Sequence, residues 1–225
     1  DFIANASHEL RTPLTVINGF LEIASMQPDM EVSIRSSHVK LMIEQGERMQ
    51  RLVEDMLTLS RLESTEFKVR TEHIDMHLML RHICQEAQAL SAGRHQITLE
   101  FDGPDIQGSS DEIRSAISNL VTNAVRYTPE HGEIKLIWKN TPQGPKCVVQ
   151  DNGIGISQEH ISRLTERFYR VDKSRSRETQ GTGLGLAIVK HVLIRHDAQL
   201  MIESSVNVGS KFCVQFPLRA VAIPG

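Results

Sequence analysis

Near the start of the chain a stripe that is apolar at every position but Ser7 falls in alternating steps of four and three: Ile3, Ser7, Leu10, Leu14, Ile17, Leu21 and Ala24. Such spacing is the heptad seam of an α-helix. The pattern breaks at Gln27-Pro28-Asp29, and after a polar stretch a second seam runs through Met42, Met49, Val53, Met56 and Leu59. Residues 1–64 therefore predict two long helices joined around residues 27–36. Two helices cannot bury two seams alone, whereas two such hairpins close a four-helix bundle. The expected assembly is a homodimer through this segment.

From about residue 68 the period changes. Short runs at Ile97–Phe101, Ile134–Trp138, Lys146–Gln150, Leu200–Glu203 and Lys211–Val214 read as strands. Between them, 76–92, 111–126, 158–166 and 184–196 read as helices. Strands mixed with helices, and hairpin-like pairs at the C-terminal end, predict an α/β sandwich. The expected organisation is a helical unit over 1–66 and an α/β unit over 67–225.

Composition narrows the function classes. The net charge of -3 argues against nucleic acid as a direct partner, since a phosphate backbone calls for a basic surplus. Cys84, Cys147 and Cys213 are far apart and have no metal-ligand spacing, which fits reduced thiols. No run of about 18 apolar residues spans a membrane. The chain opens at Asp1 inside a helical pattern, so the expectation is a fragment whose sensory and membrane parts lie upstream.

The first helix carries Ser7-His8-Glu9-Leu10-Arg11-Thr12-Pro13-Leu14. His8 follows a seam position, so it sits at the edge of the apolar stripe with a ring nitrogen accessible. Glu9 is adjacent and can accept the Nδ1 proton, leaving Nε2 as nucleophile. Thr12 lies at i+4 on the same face. Pro13 lacks the N–H that would bond the Glu9 carbonyl, which predicts a weakened or kinked turn. A lone histidine in such a helix is more often an ordinary surface residue. Val16, Gly19, Phe20 and Ile23 fall on the His8 side outside the main seam, and fit either a docking surface for a partner or a widened bundle core.

Three later segments have nucleotide-binding chemistry. Asn119 and Asn123, one turn apart, offer hard neutral oxygens of the kind Mg²⁺ accepts beside phosphates. Arg126 can reach a phosphate and Tyr127 can cover a base. Asp151-Asn152-Gly153-Ile154-Gly155-Ile156 follows a strand. Its carboxylate can accept from an adenine amine, and its glycines permit close approach of backbone to ligand. Gly181-Thr182-Gly183-Leu184-Gly185-Leu186 opens a helix, where free N–H groups favour phosphate. The basic stretch Arg170–Gln180 reads as a lid, with Arg170, Lys173, Arg175 and Arg177 available to phosphates. Taken singly, these segments also fit a solvated helix face, a turn and a polar loop.

In this order the motifs resemble those of sensor histidine kinases. The string around His8 is similar to the family's H-box, and the three later segments to its N, G1 and G2 boxes. Glu166-Arg167-Phe168-Tyr169-Arg170 is similar to its F-box, and Val208-Gly209-Ser210-Lys211-Phe212 to its closing motif, with Ser210 where threonine is common. Arg126 stands where lysine is usual, exchanging a point charge for a planar fork. The resemblance covers nearly the whole chain. It implies a dimerising helical hairpin followed by an ATP-binding domain of the gyrase/Hsp90/kinase type, with Mg²⁺ on Asn123 and Asn119. It implies that His8 takes the γ-phosphoryl of ATP with help from Glu9 and passes it to an aspartate of a response regulator. Thr12 would serve the reverse, dephosphorylating direction. Related ATPases of this fold use a glutamate base at the position of Asn119, and an amide cannot take a proton from water. The strings Leu164–Lys173 and Arg114–Val121 are most similar to the family's phosphate-regulon branch. That implies a phosphate-regulon response regulator as partner, and a cytoplasmic portion of a bacterial inner-membrane sensor.

Overall fold

Helix α1 (Phe2–Met26) and helix α2 (Val32–Glu63) form a hairpin. These and the following elements are those of a computed structural model, which describes residues 2–27, 29–64, 69–171 and 181–222. Pro13 is buried, and α1 continues through it to Met26, so the proline removes one backbone bond without ending the helix. The two seams behave as one chain alone must leave them. Leu59 is 1% exposed where α2 meets the rest of the molecule, yet Ile3, Leu14, Leu21 and Val53 are 79%, 48%, 53% and 43% exposed. An apolar stripe of that extent is large for a solvated surface.

The α/β unit comprises β1 (Glu72–Ile74), α3 (Met76–Ser91), β2 (Gln96–Asp102), β3 (Ile106–Gly108), α4 (Ser110–Tyr127), β4 (Glu133–Thr141) and β5 (Gly144–Asp151). It continues with α5 (Gln158–Ile161), α6 (Gly185–Arg195), β6 (Gln199–Ser205), β7 (Gly209–Gln215) and a 3₁₀ turn at Leu218–Ala220. The main sheet has the order β2-β4-β5-β7-β6, and β1 pairs with β3 apart from it. Strand β4 pairs parallel with β2, while the other pairings in the sheet are antiparallel.

Register explains the core. Trp138, Cys147, Val214 and Leu200 form one cross-strand row, and Leu136, Val149, Phe212 and Ile202 the next. Because side chains alternate between faces, both rows point the same way. Helices α3, α4 and α6 cover that face and supply Leu80, Ile83, Ile117, Leu120, Ile188 and Val192 to one apolar cluster. Trp138 is fully buried, and its indole N–H donates to Pro104 O at 3.0 Å, so its one polar atom is satisfied.

Two features depart from the sequence reading. The helix expected over 158–166 stops at Ile161 and gives way to turns. The chain has to reverse there so that the Phe168 N–H can donate to Gly183 O at 2.9 Å, with Phe168 at φ 61°. Strands β1 and β3 have three residues each, too few to produce a visible alternation.

Helix α6 packs on α4 and also on α2, so the hairpin and the α/β unit share one apolar cluster through Leu52, Leu59 and Leu62. The contact is reinforced at its rim. The Phe2 and Phe168 rings lie 5.7 Å apart, the Arg167 guanidinium stands 5.2 Å above Phe2, and Glu63 accepts from Arg167 and lies 3.2 Å from His191 Nε2.

Candidate functional site

Helix α4 is amphipathic in the way its sequence dictates. Ile113, Ala116, Ile117, Leu120, Val121, Ala124 and Val125 are buried, and Asp111 and Glu112 in its first turn and Arg126 in its last match the helix dipole. The stripe beside the buried face carries Asn119, Asn123 and Arg126, all half-buried. Asn119 Nδ2 donates to Ser115 O at 2.9 Å. That bond fixes which end of the amide is committed and leaves Oδ1 as the available acceptor, 2.5 Å from the point where a Cβ on Gly185 would sit. Glycine at 185 therefore lets the opening of α6 lie directly against Asn119.

At the end of β5 the core face of the sheet turns polar. Ile134, Asp151, Ser210 and Ser204 form the last cross-strand row. Asp151 Oδ1 accepts from the Gly153 N–H at 2.9 Å. Burial pushes the Asp151 carboxyl above its ordinary value, and backbone bonds from Gly153 and Ser210 partly offset this. Ser204 Oγ donates to Gly209 O at 2.9 Å, lies 3.0 Å from Ser210 Oγ, and accepts from the Ile156 N–H at 2.8 Å. The loop after Asp151 is thus tied to β6 and β7. Gly155 has φ +65°, and a Cβ there would lie 1.9 Å from Ser205 O, so glycine alone fits.

The glycine loop before α6 brings the cations together. Arg126 Nη1, Tyr127 Oη and Arg170 Nη2 lie 3.3, 3.9 and 4.0 Å from the position of a Cβ on Gly181. Burial depresses the Arg126 pKa, as do the charges of Arg51 and Arg170, while Tyr127 and Asp55 act in the opposite sense. Thr182 Oγ1 donates to Asp55 Oδ2 at 2.6 Å and accepts from the Leu184 N–H at 3.3 Å. Leu184 is fully buried and precedes the first residue of α6. The structure brings together Asn119, Asn123, Arg126, Tyr127, Arg170, Gly181, Thr182, Gly183, Leu184 and Gly185 at one end of α4 and α6. Asp151, Gly153, Gly155, Ile156 and Ser210 lie at the adjoining sheet end, linked to α4 by the Ile154 N–H bond to Tyr127 O at 3.2 Å. Arg177 lies outside the described residues, as do Lys173 and Arg175.

On α1, His8 and Thr12 are exposed and Glu9 is half-buried. The Thr12 hydroxyl donates to His8 O at 3.3 Å. Glu9 accepts from Arg48 on α2 at 3.2 Å, and this cross-hairpin ion pair directs its carboxylate toward α2. Adjacent residues on a helix do not face one another, which accounts for the difference from the expected contact with the His8 ring. Val16 and Ile23 are exposed, whereas Phe20 packs 4.6 Å from the His38 ring on α2 and Gly19 is half-buried. The four residues are divided between solvent and the hairpin.

Sequence reasoning missed Ser204 and Asp55. Ser204 had a signal, being a polar residue in the inward register of Leu200 and Ile202. Asp55 had none, since its partner Thr182 lies 127 residues away.

Residues 108–220 match the family described as histidine kinase-, DNA gyrase B-, and HSP90-like ATPase, and residues 1–65 match the His Kinase A (phospho-acceptor) domain. The chain is 50% identical over 230 residues to the phosphate regulon sensor protein PhoR of Pseudomonas aeruginosa, covering 99% of this chain and 51% of that protein. It is 40% identical to the phosphate regulon sensor protein PhoR of Haemophilus influenzae, covering 98% and 52% respectively. The chain thus spans about half the length of these relatives. Among solved structures, full-length ShkA in complex with AMPPNP superposes with a TM-score of 0.72 at 26% identity, covering 98% of this chain and 46% of that one.

Proposed function

On the premise that the chain belongs to the histidine kinase-, DNA gyrase B- and HSP90-like ATPase family, we propose that it is the kinase portion of a sensor histidine kinase, one that phosphorylates His8 from ATP. Residues 1–66 form the dimerisation and phosphoacceptor unit and residues 67–225 the ATP-binding unit. The observation that carries this reading is the chemistry of Asn119. Its amide is held by Ser115 O beside the glycine loop, and an amide cannot activate water. An amide at the position where related ATPases have their general base favours transfer to a side chain over transfer to water, and His8 is an exposed nucleophile on a helix of the same chain.

The donor set fits the substrate and its ion. Asn119 and Asn123 present neutral oxygens suited to Mg²⁺, which supplies charge neutralisation at the phosphates when bound. Arg126, Arg170 and the glycine loop at α6 hold the phosphates, Tyr127 covers the base, and Asp151 accepts from the adenine amine. Arg177 belongs to the same set by its position in the basic stretch. In the transfer, His8 Nε2 bonds to the γ-phosphorus as the bond from that phosphorus to the β–γ bridging oxygen breaks, and ADP leaves with that oxygen. The Nδ1 proton is held by an acceptor, the role assigned to Glu9 once its bond to Arg48 is exchanged. Catalysis is mainly positioning and electrostatics.

The phosphohistidine then donates to an aspartate of a response regulator docked over Val16, Gly19, Phe20 and Ile23, and Thr12 serves the reverse reaction. The half-exposed seams of α1 and α2 support a homodimeric bundle. Likeness to the two phosphate regulon sensor proteins supports a phosphate-regulon regulator as partner and a role in phosphate-starvation signalling. Among the described residues no helix is long and apolar enough to cross a membrane. Attachment to a bacterial inner membrane would come from sequence outside this chain.

The test is incubation with γ-labelled ATP, comparing wild type with His8→Gln. Acid-labile label on wild type alone is the expected result. Label of the same kind on His8→Gln overturns the reading. A receiver panel tests the partner: a strong kinetic preference for the phosphate-regulon receiver is expected, and its absence removes that assignment.

A further inference from the structure

The bond between Thr182 and Asp55 joins the glycine loop to α2, and nothing in the phosphotransfer chemistry above uses it. We infer that Asp55 is an internal competitor of the nucleotide phosphates, so that nucleotide entry and release of the glycine loop from α2 are a single exchange. The inference rests on the ATP-binding reading of the glycine loop.

Three observations carry it. The Thr182 hydroxyl donates to Asp55 Oδ2 at 2.6 Å, the short distance of a bond to an ionised acceptor. A threonine has a single O–H, so it can serve the carboxylate or a phosphate oxygen and not both. Burial raises the Asp55 carboxyl above its ordinary value, and the carboxylate offsets this in part by drawing on donors and cations that also suit a phosphate. Thr182 Oγ1 takes the Leu184 N–H at the opening of α6, and Arg126 and Arg51 both attract Asp55. Arg126 in turn lies beside Arg170 at Gly181. A carboxylate and a phosphate are both anionic acceptors drawing on the same donors. Finally, the competitor is not part of the pocket's own unit. Asp55 sits on α2, the partner helix of the one bearing His8, so its displacement changes how the loop is held against the hairpin.

The neighbouring acid supplies a control. Glu54 is exposed and accepts from Gln50 Nε2 at 2.9 Å, one turn back along α2. It has the same charge as Asp55 without the contact to Thr182.

The experiment is titration of the intact chain with ADP and, separately, with adenosine, in the presence of Mg²⁺. Asp55→Asn should bind ADP about five- to tenfold more tightly than wild type, because a site held partly closed loses affinity in proportion to its closed fraction. Adenosine, which has no phosphate, should bind both forms alike, and Glu54→Gln should match wild type for both ligands. Asp55→Ser serves the same comparison if Asp55→Asn does not fold. Equal or weaker ADP binding by the Asp55 variants, with wild type binding normally, overturns this inference and leaves the ATP reading intact. An equal gain for adenosine, or the same gain in Glu54→Gln, overturns it as well. Failure of wild type to bind ADP at all overturns both.

Discussion

Replacing Gly185 by alanine separates folding from ligand binding. The new Cβ would sit 2.5 Å from Asn119 Oδ1 and 3.4 Å from its Cγ. A carbon and an oxygen cannot remain that close, so the Asn119 amide must turn, and its 2.9 Å bond to Ser115 O is lost. That loss costs about 1 kcal/mol net. Alanine in place of glycine at the start of a helix recovers up to about 1 kcal/mol from backbone entropy and propensity. The two effects are similar in size and opposite in sign, so Tm should move by no more than about 2–4 °C. Ligand binding has no such offset, because the displaced amide takes its oxygen out of the site. Affinity for Mg²⁺–ADP should fall at least about tenfold, or about 1.4 kcal/mol. Calorimetric titration and a thermal melt of the same sample measure both quantities. Unchanged affinity with unchanged Tm would refute the placement of Asn119 in the nucleotide site.

Other outcomes follow from burial. Asp151 has a folded-state pKa raised by burial above its ordinary 3.8, so the stability linked to its protonated form is present below that value and lost as pH rises through the folded pKa. Asp151→Asn keeps an oxygen for the Gly153 N–H and should be at least as stable as wild type at neutral pH, with the advantage vanishing near about pH 4. Urea unfolding at both pH values checks this, and a marked loss at neutral pH would contradict it. Burial pushes the Cys147 thiol up to about 12, so iodoacetamide near pH 8 should leave it unmodified until the chain unfolds. Peptide mapping of native and denatured samples reads the difference. Leu59 is 1% exposed at the meeting of α2 with the α/β unit, and Leu59→Ala should cost about 2–5 kcal/mol in denaturant unfolding. A change below about 1 kcal/mol would mean that this contact is dispensable.

Much of this architecture can be read from residue order because its elements are locally determined. The heptad steps from Ile3 to Ala24 require only one helix, and the inward residues Ile134, Leu136 and Trp138 of β4 require only alternation. The glycine loops were legible for a similar reason, since the φ of +65° at Gly155 is a local demand that glycine meets. What escaped depends on distant pairing. Residues 162–166 fall within the helix that the sequence predicts over 158–166, yet the hydrogen bond from Phe168 to Gly183 dictates the course of the chain there. Glu9 looked committed to its neighbour His8 until the opposite helix presented Arg48. Asp55 belongs to no motif in the sequence, and the approach of the glycine loop gives it Thr182 as a partner.

The parallel pairing of β2 with β4 has a consequence for how the chain reaches this state. Those strands can be brought side by side only after the intervening chain, which includes α4, has crossed the sheet. The helix that presents Asn119, Asn123 and Arg126 is therefore the crossover itself. Parallel pairings form late, because the loop must close before the contacts are made. The ligand face is thus assembled in the same slow event that completes the sheet, and a refolding chain should gain its nucleotide affinity and its buried Trp138 together, in one kinetic phase.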